Sequence, residues 1–312
     1  MSRIAPGRLA IKVAAGLAAA GLLPAGGDAQ AIGATEARAA SEVRVMTFNI
    51  RYGTAEDGEN AWPNRRSLVF EVIRDFRPDV LGVQEALDFQ LKELHAALPG
   101  YEVVGVGRDD GVRAGEFSAI LVDGSRFEVL DRGTFWFSDA PASPGSVSWG
   151  NRIPRICTWA RVRDRTTDRR FTVYNVHWDH ESQPSRERSA DLLVDRITGR
   201  AHGDEPVLVM GDFNAGESNP AFLTLVEAGV TGLRDTFRAL HPDASDVGTF
   251  NGFEGRRDGE KIDAILASDG WCPRSAAIVG TARDGRYPSD HFPVTAVLSP
   301  GSDGCSPPAV GS

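Results

Sequence analysis

Residues able to bind a metal ion or to transfer a proton recur at the ends of apolar runs in this sequence. The runs RVMTF, DVLGVQ, FTVYNV and PVLVMG each lead into such residues, another interrupts the run KIDAIL, and two more follow the turn YPS. In chain order they are Asn49, Glu85, His177, Asp179, His180, Asp212, Asn214, Asp263, Asp290 and His291. Because strand ends on one edge of a sheet gather into one pocket, the recurrence predicts a single site.

Several of these residues also have an ordinary structural explanation. Asn49 could be a turn residue, and Glu85 could be a carboxylate at a helix N-terminus. Asp212 and Asn214 could build an Asx turn, and His177 could be a semi-buried histidine with satisfied hydrogen bonds. These alternatives weaken when the positions are taken together, since all of them fall at equivalent points of predicted strands.

Asp263 is harder to explain structurally, because it lies inside an apolar stretch. A carboxylate buried there pays a desolvation cost unless it has a partner. Asp290 and His291 raise the same question, since they lie between an aromatic-proline turn and the apolar run Phe292–Leu298. All three side chains therefore need partners or a function.

The residue types restrict the chemistry of the predicted site. Oxygen ligands from Asp and Glu favour a hard cation, Mg²⁺ or Mn²⁺, over zinc. The sequence has no Gly-x-Ser-x-Gly nucleophile turn and no suitably placed cysteine. Two histidines with amides and carboxylates suit the charge that develops in phosphoryl transfer. The residues thus predict metal-assisted hydrolysis of a phosphoester.

Strand patterns dominate the elements that would position these residues. They cover residues 42–50, 79–86, 117–123, 155–164, 171–180, 206–214, 261–268 and 292–299. Helical spacing covers residues 64–76, 88–98, 185–197 and 219–229. Many strands with helices interspersed indicate two packed sheets with helices outside.

The two ends of the chain differ from the region between them. Residues 1–31 have a basic start, a short apolar run and an Ala-Gln-Ala cleavage site, which is typical of a secretory signal peptide. An uncleaved anchor or a disordered tail is the alternative, although the run is too short for a stable membrane span. We expect a linker over 32–41, one domain over 42–298 and a loose tail over 299–312.

The net charge disfavours extended contact with nucleic acid. The chain carries −9, and removal of residues 1–31, which carry +2, leaves −11. Such a surface opposes non-specific attraction to polyanions, although a local basic groove would remain compatible with it. A disulfide between Cys272 and Cys305 is possible, whereas Cys157 is predicted to be a small core residue.

The motifs TFNIRYG, VLGVQEA, NVHWDH, GDFNAG, KIDAIL and SDHFPV, in this order, resemble the endonuclease/exonuclease/phosphatase superfamily. The resemblance covers about residues 42–298, and further motifs are similar to a secreted bacterial branch whose substrates are poorly defined. It implies an α+β fold, a four-layer αββα sandwich of two packed, mainly antiparallel β-sheets with helices outside. One departure is Asn251, which replaces an expected histidine in TFHGF and would change specificity if it touched the substrate.

The resemblance also implies a role for each matching residue on the metal side of the site. Glu85 would be the principal metal ligand, Asn49 would sit beside it and hold the metal-bound water or the phosphate, and Asp290 would be a second metal contact. Asp212 would polarise the attacking water or protonate the leaving oxygen, and Asn214 would donate to the phosphate.

Five further residues are expected on the phosphate side. His291 would contact the scissile phosphate, with Asp263 as the carboxylate that orients its ring. His177 would stabilise the phosphorane, held by Glu116, and Arg155 would be another phosphate contact.

The resulting expectation is a secreted or periplasmic, monomeric hydrolase that uses Mg²⁺ or Mn²⁺ on a phosphoester, either a small molecule or a nucleic acid. The alternatives are an extracellular nuclease, a sphingomyelinase-like lipid phosphodiesterase and a catalytically silent binding protein. For a nuclease, Trp62 and Trp178 could form a stacking face for bases or sugars, although both could equally be core residues.

Overall fold

The structure is a computed structural model that describes Met1, residues 41–227 and residues 229–301. The predicted signal peptide, most of the predicted linker and residues 302–312 of the predicted tail lie outside the described residues. Among the described residues, no helix is both long enough and apolar enough to cross a lipid bilayer.

Two six-stranded mixed sheets form the centre of the domain. The strands of the first sheet are β1 Val43–Asn49, β2 Val80–Ala86, β3 Tyr101–Val104, β4 Phe117–Asp123, β11 Trp271–Ile278 and β12 Val294–Pro300. The strands of the second are β5 Phe127–Trp136, β6 Ile156–Asp164, β7 Arg170–His177, β8 Val207–Asp212, β9 Arg234–Asp235 and β10 Asp263–Ala267. Their orders are β11-β12-β1-β2-β4-β3 and β5-β6-β7-β8-β10-β9.

Five helices are described outside the sheets: α1 Trp62–Phe76, α2 Asp88–Ala97, α3 Gln183–Thr198, α4 Pro220–Glu227 and α5 Thr236–Leu240. Their ends follow local sequence signals. Helix α1 ends at Phe76; the next residue, Arg77, adopts a left-handed conformation, and Pro78 follows it. Helix α3 begins after Ser182, whose Oγ accepts a hydrogen bond from the backbone N of Ser185 at 3.3 Å.

Three apolar clusters separate the four layers. The cluster between the two sheets includes Val45, Val80, Phe171, Met210 and Ile265. A second packs the outer face of the first sheet against α1 and α2, and a third packs the outer face of the second sheet against α3 and α4. The predicted four-layer arrangement of helices outside two packed sheets is confirmed.

A buried amide on β7 also joins the two sheets. Asn175 Nδ2 donates to Val83 O at 3.0 Å and to Ala119 O at 2.8 Å, on β2 and β4 of the first sheet. Its Oδ1 accepts from Gln84 Nε2 at 2.6 Å, and Gln84 Nε2 also donates to Thr47 Oγ1 at 3.0 Å. Because these amides are fully buried, each bond satisfies a group that could not reach water.

Each sheet contains one parallel pair, β1–β2 and β7–β8, and the other pairings are antiparallel. Parallel strands end on the same edge, so the residues that close β1, β2, β7 and β8 come together. In the second sheet His177 is the register partner of Asp212, and Asp212 is also the partner of Asp263 at the start of β10. This pairing explains why polar residues at strand ends share one region.

The C-terminal end of the domain differs slightly from expectation. Strand β12 continues to Pro300, so the first two residues of the predicted tail belong to the first sheet. Cys157 is a buried free cysteine, as predicted, and Cys272 is disulfide-bonded. The predicted partner Cys305 lies outside the described residues.

Candidate active site

The residues predicted for the site surround one cavity of about 650 Å³. Those that line it are Glu85, Glu116, Arg155, His177, His180, Asp212, Asn214, Asp290 and His291. The remaining predicted residues, Asn49, Asp179 and Asp263, are buried and hydrogen-bonded to residues that line it. The structure therefore brings together every residue that the sequence singled out for the site.

Asn49 connects the carboxylates of the two sheets. Its Nδ2 donates to Glu85 Oε1 and to Asp212 Oδ2, both at 3.0 Å, and its Oδ1 accepts from the backbone N of Arg51 at 3.0 Å. The bond from Arg51 is an Asx-turn bond, as the sequence allowed, whereas the bonds of Nδ2 to Glu85 and Asp212 reach beyond the turn. The amide therefore sets the spacing between Glu85 and Asp212.

Glu85 is presented to the cavity by an irregular strand end. Its φ is +60°, in the left-handed region, and the β2–β4 register shifts between Val83 and Ala86. Such a conformation costs about 1–2 kcal/mol for a non-glycine residue, and it recurs at functional sites. The backbone N of Tyr52 donates to Glu85 Oε2 at 3.1 Å, so both carboxylate oxygens are oriented.

Asp263 has the partner that its position in an apolar strand requires. Its Oδ2 lies 2.8 Å from His291 Nδ1, while His291 Nε2 lies 3.9 Å from Asp212 Oδ2. Burial opposes a charged imidazole, but Asp263 and Asp212 outweigh it and hold the pKa of His291 well above its ordinary value. His291 is therefore a buried imidazolium between two carboxylates.

Asp212 is poised to exchange a proton near neutral pH. Burial and the neighbouring charge of Asp263 raise the pKa of Asp212 to about 7, against the opposing effect of His291. Its Oδ1 also accepts from the backbone N of Asn214 at 2.9 Å, the Asx bond expected from the sequence. A general acid or base works best with a pKa close to the operating pH.

Arg155 organises the opposite side of the cavity through the motif HWDH. Its Nη1 lies 2.9 Å from His177 Nε2, its Nη2 lies 2.6 Å from His180 Nδ1, and its Nε donates to Asp179 Oδ2 at 3.3 Å. Because a guanidinium can only donate, His177 Nε2 must accept, and the proton of a neutral His177 lies on Nδ1. That nitrogen is 3.9 Å from Glu116 Oε2.

The two histidines of the cavity thus have opposite charge states. Burial, with the positive charges of Arg155 and Arg108, holds the pKa of His177 well below its ordinary value. Arg108 also binds both oxygens of Glu116 at 2.7 Å, although burial raises the pKa of that carboxyl. His177 is therefore neutral beside a cationic wall formed by the guanidinium groups of Arg155 and Arg108, which suits contact with an anion.

One residue of the site was missed in the sequence, and another was named there without a role. Arg108 pairs with Glu116 only because the loop after β3 folds back, so local spacing gave no signal for it. His180 was visible in HWDH but lacked a role until Arg155 was seen beside it. Asn251, by contrast, is fully buried, and its backbone N donates to Asp290 O at 2.7 Å, so its difference from histidine lies outside the cavity lining.

The donor set fits a divalent cation. Ligand atoms of Asp212, Asp263 and His291 lie within 4.8 Å of one another, and Asp263 Oδ1 is buried without a hydrogen-bond partner. Because a protonated His291 ring offers no lone pair, the available donors are the carboxylates. Glu85 and Asp290 face the same cavity, and burial raises the pKa of Asp290 with a further contribution from Glu85. Carboxylate oxygens in this number suit a hard cation that would relieve their repulsion.

Comparison with known proteins agrees with this geometry. The sequence model described as Endonuclease/Exonuclease/phosphatase family matches residues 46–291. A crystal structure of an endonuclease/exonuclease/phosphatase from Bacteroides vulgatus is 35% identical, covers 83% of this chain and 99% of its own, and has a TM-score of 0.78.

Two further proteins are also similar. A mannosyl-6-phosphatase from Bacteroides thetaiotaomicron is 31% identical, covers 82% of this chain and 99% of its own, and has a TM-score of 0.75. An uncharacterised protein of Acanthamoeba polyphaga mimivirus is 27% identical over 225 residues, which are 69% of this chain and 81% of the viral protein. The chain belongs to the endonuclease/exonuclease/phosphatase family, whose members hydrolyse phosphoester bonds.

Proposed function

We propose that the protein is a secreted, Mg²⁺- or Mn²⁺-dependent phosphatase that acts on a small, hydroxyl-rich phosphoester such as a sugar phosphate. One observation carries the proposal. A proton-exchanging carboxylate, Asp212, meets the buried pair His291–Asp263, the acids Glu85 and Asp290 and a cationic wall within one cavity.

The chain's own residues would divide the reaction between them. Asp212 would accept a proton from the attacking water or return one to the leaving oxygen, because its pKa of about 7 allows both forms. His291 would donate from Nε2 to a phosphoryl oxygen, since its Nδ1 is held by Asp263. A cation held by Glu85 and Asp290, with Asn49 orienting Glu85, would supply charge neutralisation at the phosphate.

Arg155 and His177 would bind the same phosphate from the other side. The Arg155 fork is fixed by three side chains of HWDH, so little conformational entropy is lost when an anion binds. Asn214 lines the cavity as well, and although its Nδ2 donates to Trp178 O at 3.0 Å, its second N–H can still reach a substrate oxygen.

Several features favour a small substrate over a polynucleotide. Exposed Asp258 and Glu260 line the cavity beside Arg256, which pairs with Asp258 at 3.7 Å, and such a mixed rim offers acceptors and donors to sugar hydroxyls. Trp62 and Trp178 are both buried, so neither offers a stacking face for bases. The charge of −11 after signal removal and the similarity to a mannosyl-6-phosphatase also favour a small phosphoester over a polynucleotide.

A substrate panel tests this function. Purified protein with Mg²⁺ or Mn²⁺ is given sugar phosphates, inositol phosphates, bis(p-nitrophenyl) phosphate, RNA, single- and double-stranded DNA, and sphingomyelin. We expect phosphate release from a sugar phosphate, and a loss of about 10²-fold or more in His291→Ala, as for removal of a positioned acid or base. Preferential cleavage of nucleic acid or sphingomyelin would replace the proposed substrate class.

Absence of turnover above His291→Ala with every ion would instead favour a binding protein. Secretion is tested separately by N-terminal sequencing of protein exported from the native host, which should begin at Ile32. Disulfide-bonded Cys272 supports an oxidising compartment. The expected monomer is checked by light scattering of the same material.

A further inference from the structure

Arg65 is a buried cation on α1 that the described catalytic groups do not touch. Its exposed fraction is 2%, and among the described residues no carboxylate forms an ion pair with it. Burial lowers the pKa of Arg65 to about 10, so the side chain is still charged at neutral pH. Because burying an unpaired charge is costly, its position needs a compensating set of contacts.

Backbone carbonyl oxygens provide those contacts. Arg65 Nη1 donates to Ile50 O at 2.7 Å and to Pro288 O at 3.0 Å. Its Nη2 donates to Arg51 O at 3.1 Å, and its Nε donates to Asn60 O at 2.8 Å. One guanidinium therefore links segments more than 200 residues apart in sequence, as the separation of 223 between Arg65 and Pro288 shows.

The bonded segments carry the two halves of the predicted cation site. Ile50 and Arg51 follow Asn49 directly, whose amide orients Glu85. Pro288 lies two residues before Asp290 and three before His291. The position of the Arg65 guanidinium therefore sets the distance from the Glu85 side to the Asp290 side.

Aromatic rings hold the guanidinium in place. Its carbon lies 5.2 Å from the ring centre of Trp62 and 5.5 Å from that of Phe253. Phe253 belongs to the loop that also carries Asn251, which bonds Asp290 O through its backbone. A planar guanidinium near two rings, with its N–H groups on four carbonyls, is held in a way that a lysine ammonium with three donors could not reproduce.

We propose that Arg65 is a positioning residue that fixes Glu85 and Asp290 at the spacing required for the divalent cation. This inference rests on the proposed metal-dependent function, but it concerns cation binding and can be measured without turnover. Loss of residues that orient metal ligands typically lowers metal affinity or activity about 10–100-fold.

The test compares Arg65→Lys and Arg65→Gln with Arg44→Lys. Arg44 is a matched control, because its guanidinium also donates to backbone carbonyls, lies 4.4 Å from the Phe76 ring centre and is at the opposite end of β1 from Asn49. Each protein is titrated with Mn²⁺ by calorimetry in the absence of substrate. The Mg²⁺ activation constant, kcat, KM and Tm are then measured.

We expect either Arg65 variant that keeps the native circular dichroism to bind Mn²⁺ about 10-fold or more weakly and to lose kcat, with KM changed less than about threefold. Arg44→Lys should change Tm alone. Mn²⁺ affinity and kcat within twofold of wild type in a folded Arg65 variant would overturn the inference. So would failure of both Arg65 variants to fold while Arg44→Lys folds, since Arg65 would then serve the fold as a whole.

The outcomes also separate this inference from the proposed function. If the wild type binds Mn²⁺ without hydrolysing any substrate, the function fails while weaker Mn²⁺ binding by Arg65→Lys still supports positioning. If the wild type binds no Mn²⁺, both fail. Unchanged Mn²⁺ binding by folded variants of an active wild type overturns only the role of Arg65.

Discussion

At the scale of single residues, burial of Asp212 raises its pKa into a useful range but destabilises the folded protein when the carboxylate is ionised. Because its pKa in the folded state is raised to about 7 from 3.8, the folded protein holds a proton that the unfolded chain releases between these values. The free energy of unfolding therefore falls as pH rises from 3.8 to about 7, and above that range Asp212 destabilises the fold by its full amount.

We predict that Asp212→Asn stabilises the metal-free protein at pH 8. The removed penalty scales as about 1.4 kcal/mol per pKa unit between 3.8 and about 7, and one lost acceptor costs about 1 kcal/mol, so the net gain should be about 3 kcal/mol. Urea unfolding between pH 4 and pH 8 should show the gain shrinking as pH falls. Exposed Asp191→Asn is the control, and an Asp212→Asn protein less stable than wild type at pH 8 would contradict the prediction.

A second prediction at this scale concerns His291 and its partner Asp263. Replacing Asp263 by Asn removes the charge that keeps the imidazolium protonated, so the pKa of His291 should fall toward its ordinary value. In the metal-free wild type, NMR titration should show His291 protonated well above that value and His177 neutral well below it.

The same Asp263→Asn variant should lose about 10²–10⁴-fold in kcat, since the ring loses both its orientation and its charge. Asp191→Asn again controls for the loss of one carboxylate. An unchanged His291 midpoint in Asp263→Asn would show that the short contact is electrostatically unimportant.

At the scale of elements, the strands that the sequence revealed and those it hid differ by position. The eight predicted strands are the interior ones, which are buried on both faces and therefore read as apolar runs. The four edge strands, β3, β5, β9 and β11, were not predicted, because they are short or have exposed polar residues such as those in Asp131–Gly133. Edge pairing depends on the neighbouring strand more than on local pattern.

The tie between sheets at Asn175 gives a prediction for elements. Asn175→Leu keeps a similar volume but removes one hydrogen-bond partner each from Gln84 Nε2, Val83 O and Ala119 O. Each group left unsatisfied costs about 1–3 kcal/mol. We expect a loss of about 3–5 kcal/mol in the free energy of unfolding, measured with urea. Val173→Ala, two residues away in the same core, should cost about 1–3 kcal/mol, and equal or smaller loss in Asn175→Leu would refute the role of the tie.

At the scale of the whole molecule, the sequence predicted the family fold and the residues of the site, but it did not predict the hydrogen bonds between those residues. Chemically able residues at strand ends were enough to place Glu85, Asp212 and His291 at one cavity. The roles of Arg108, His180 and Arg65 depend on contacts with segments that meet only after folding, so spacing in the sequence does not predict these roles.

The pairing of β1 with β12 has a consequence for biosynthesis. The first strand of the domain lies beside the last, and Val43 pairs with Leu298. A chain emerging from the ribosome cannot complete this sheet until Leu298 has been made, and contacts between distant residues also form slowly. For a protein proposed to leave the cell, such a delay would keep the nascent chain unfolded for translocation. The enzyme would become active only after β12, with Asp290 and His291 before it, has joined the sheet.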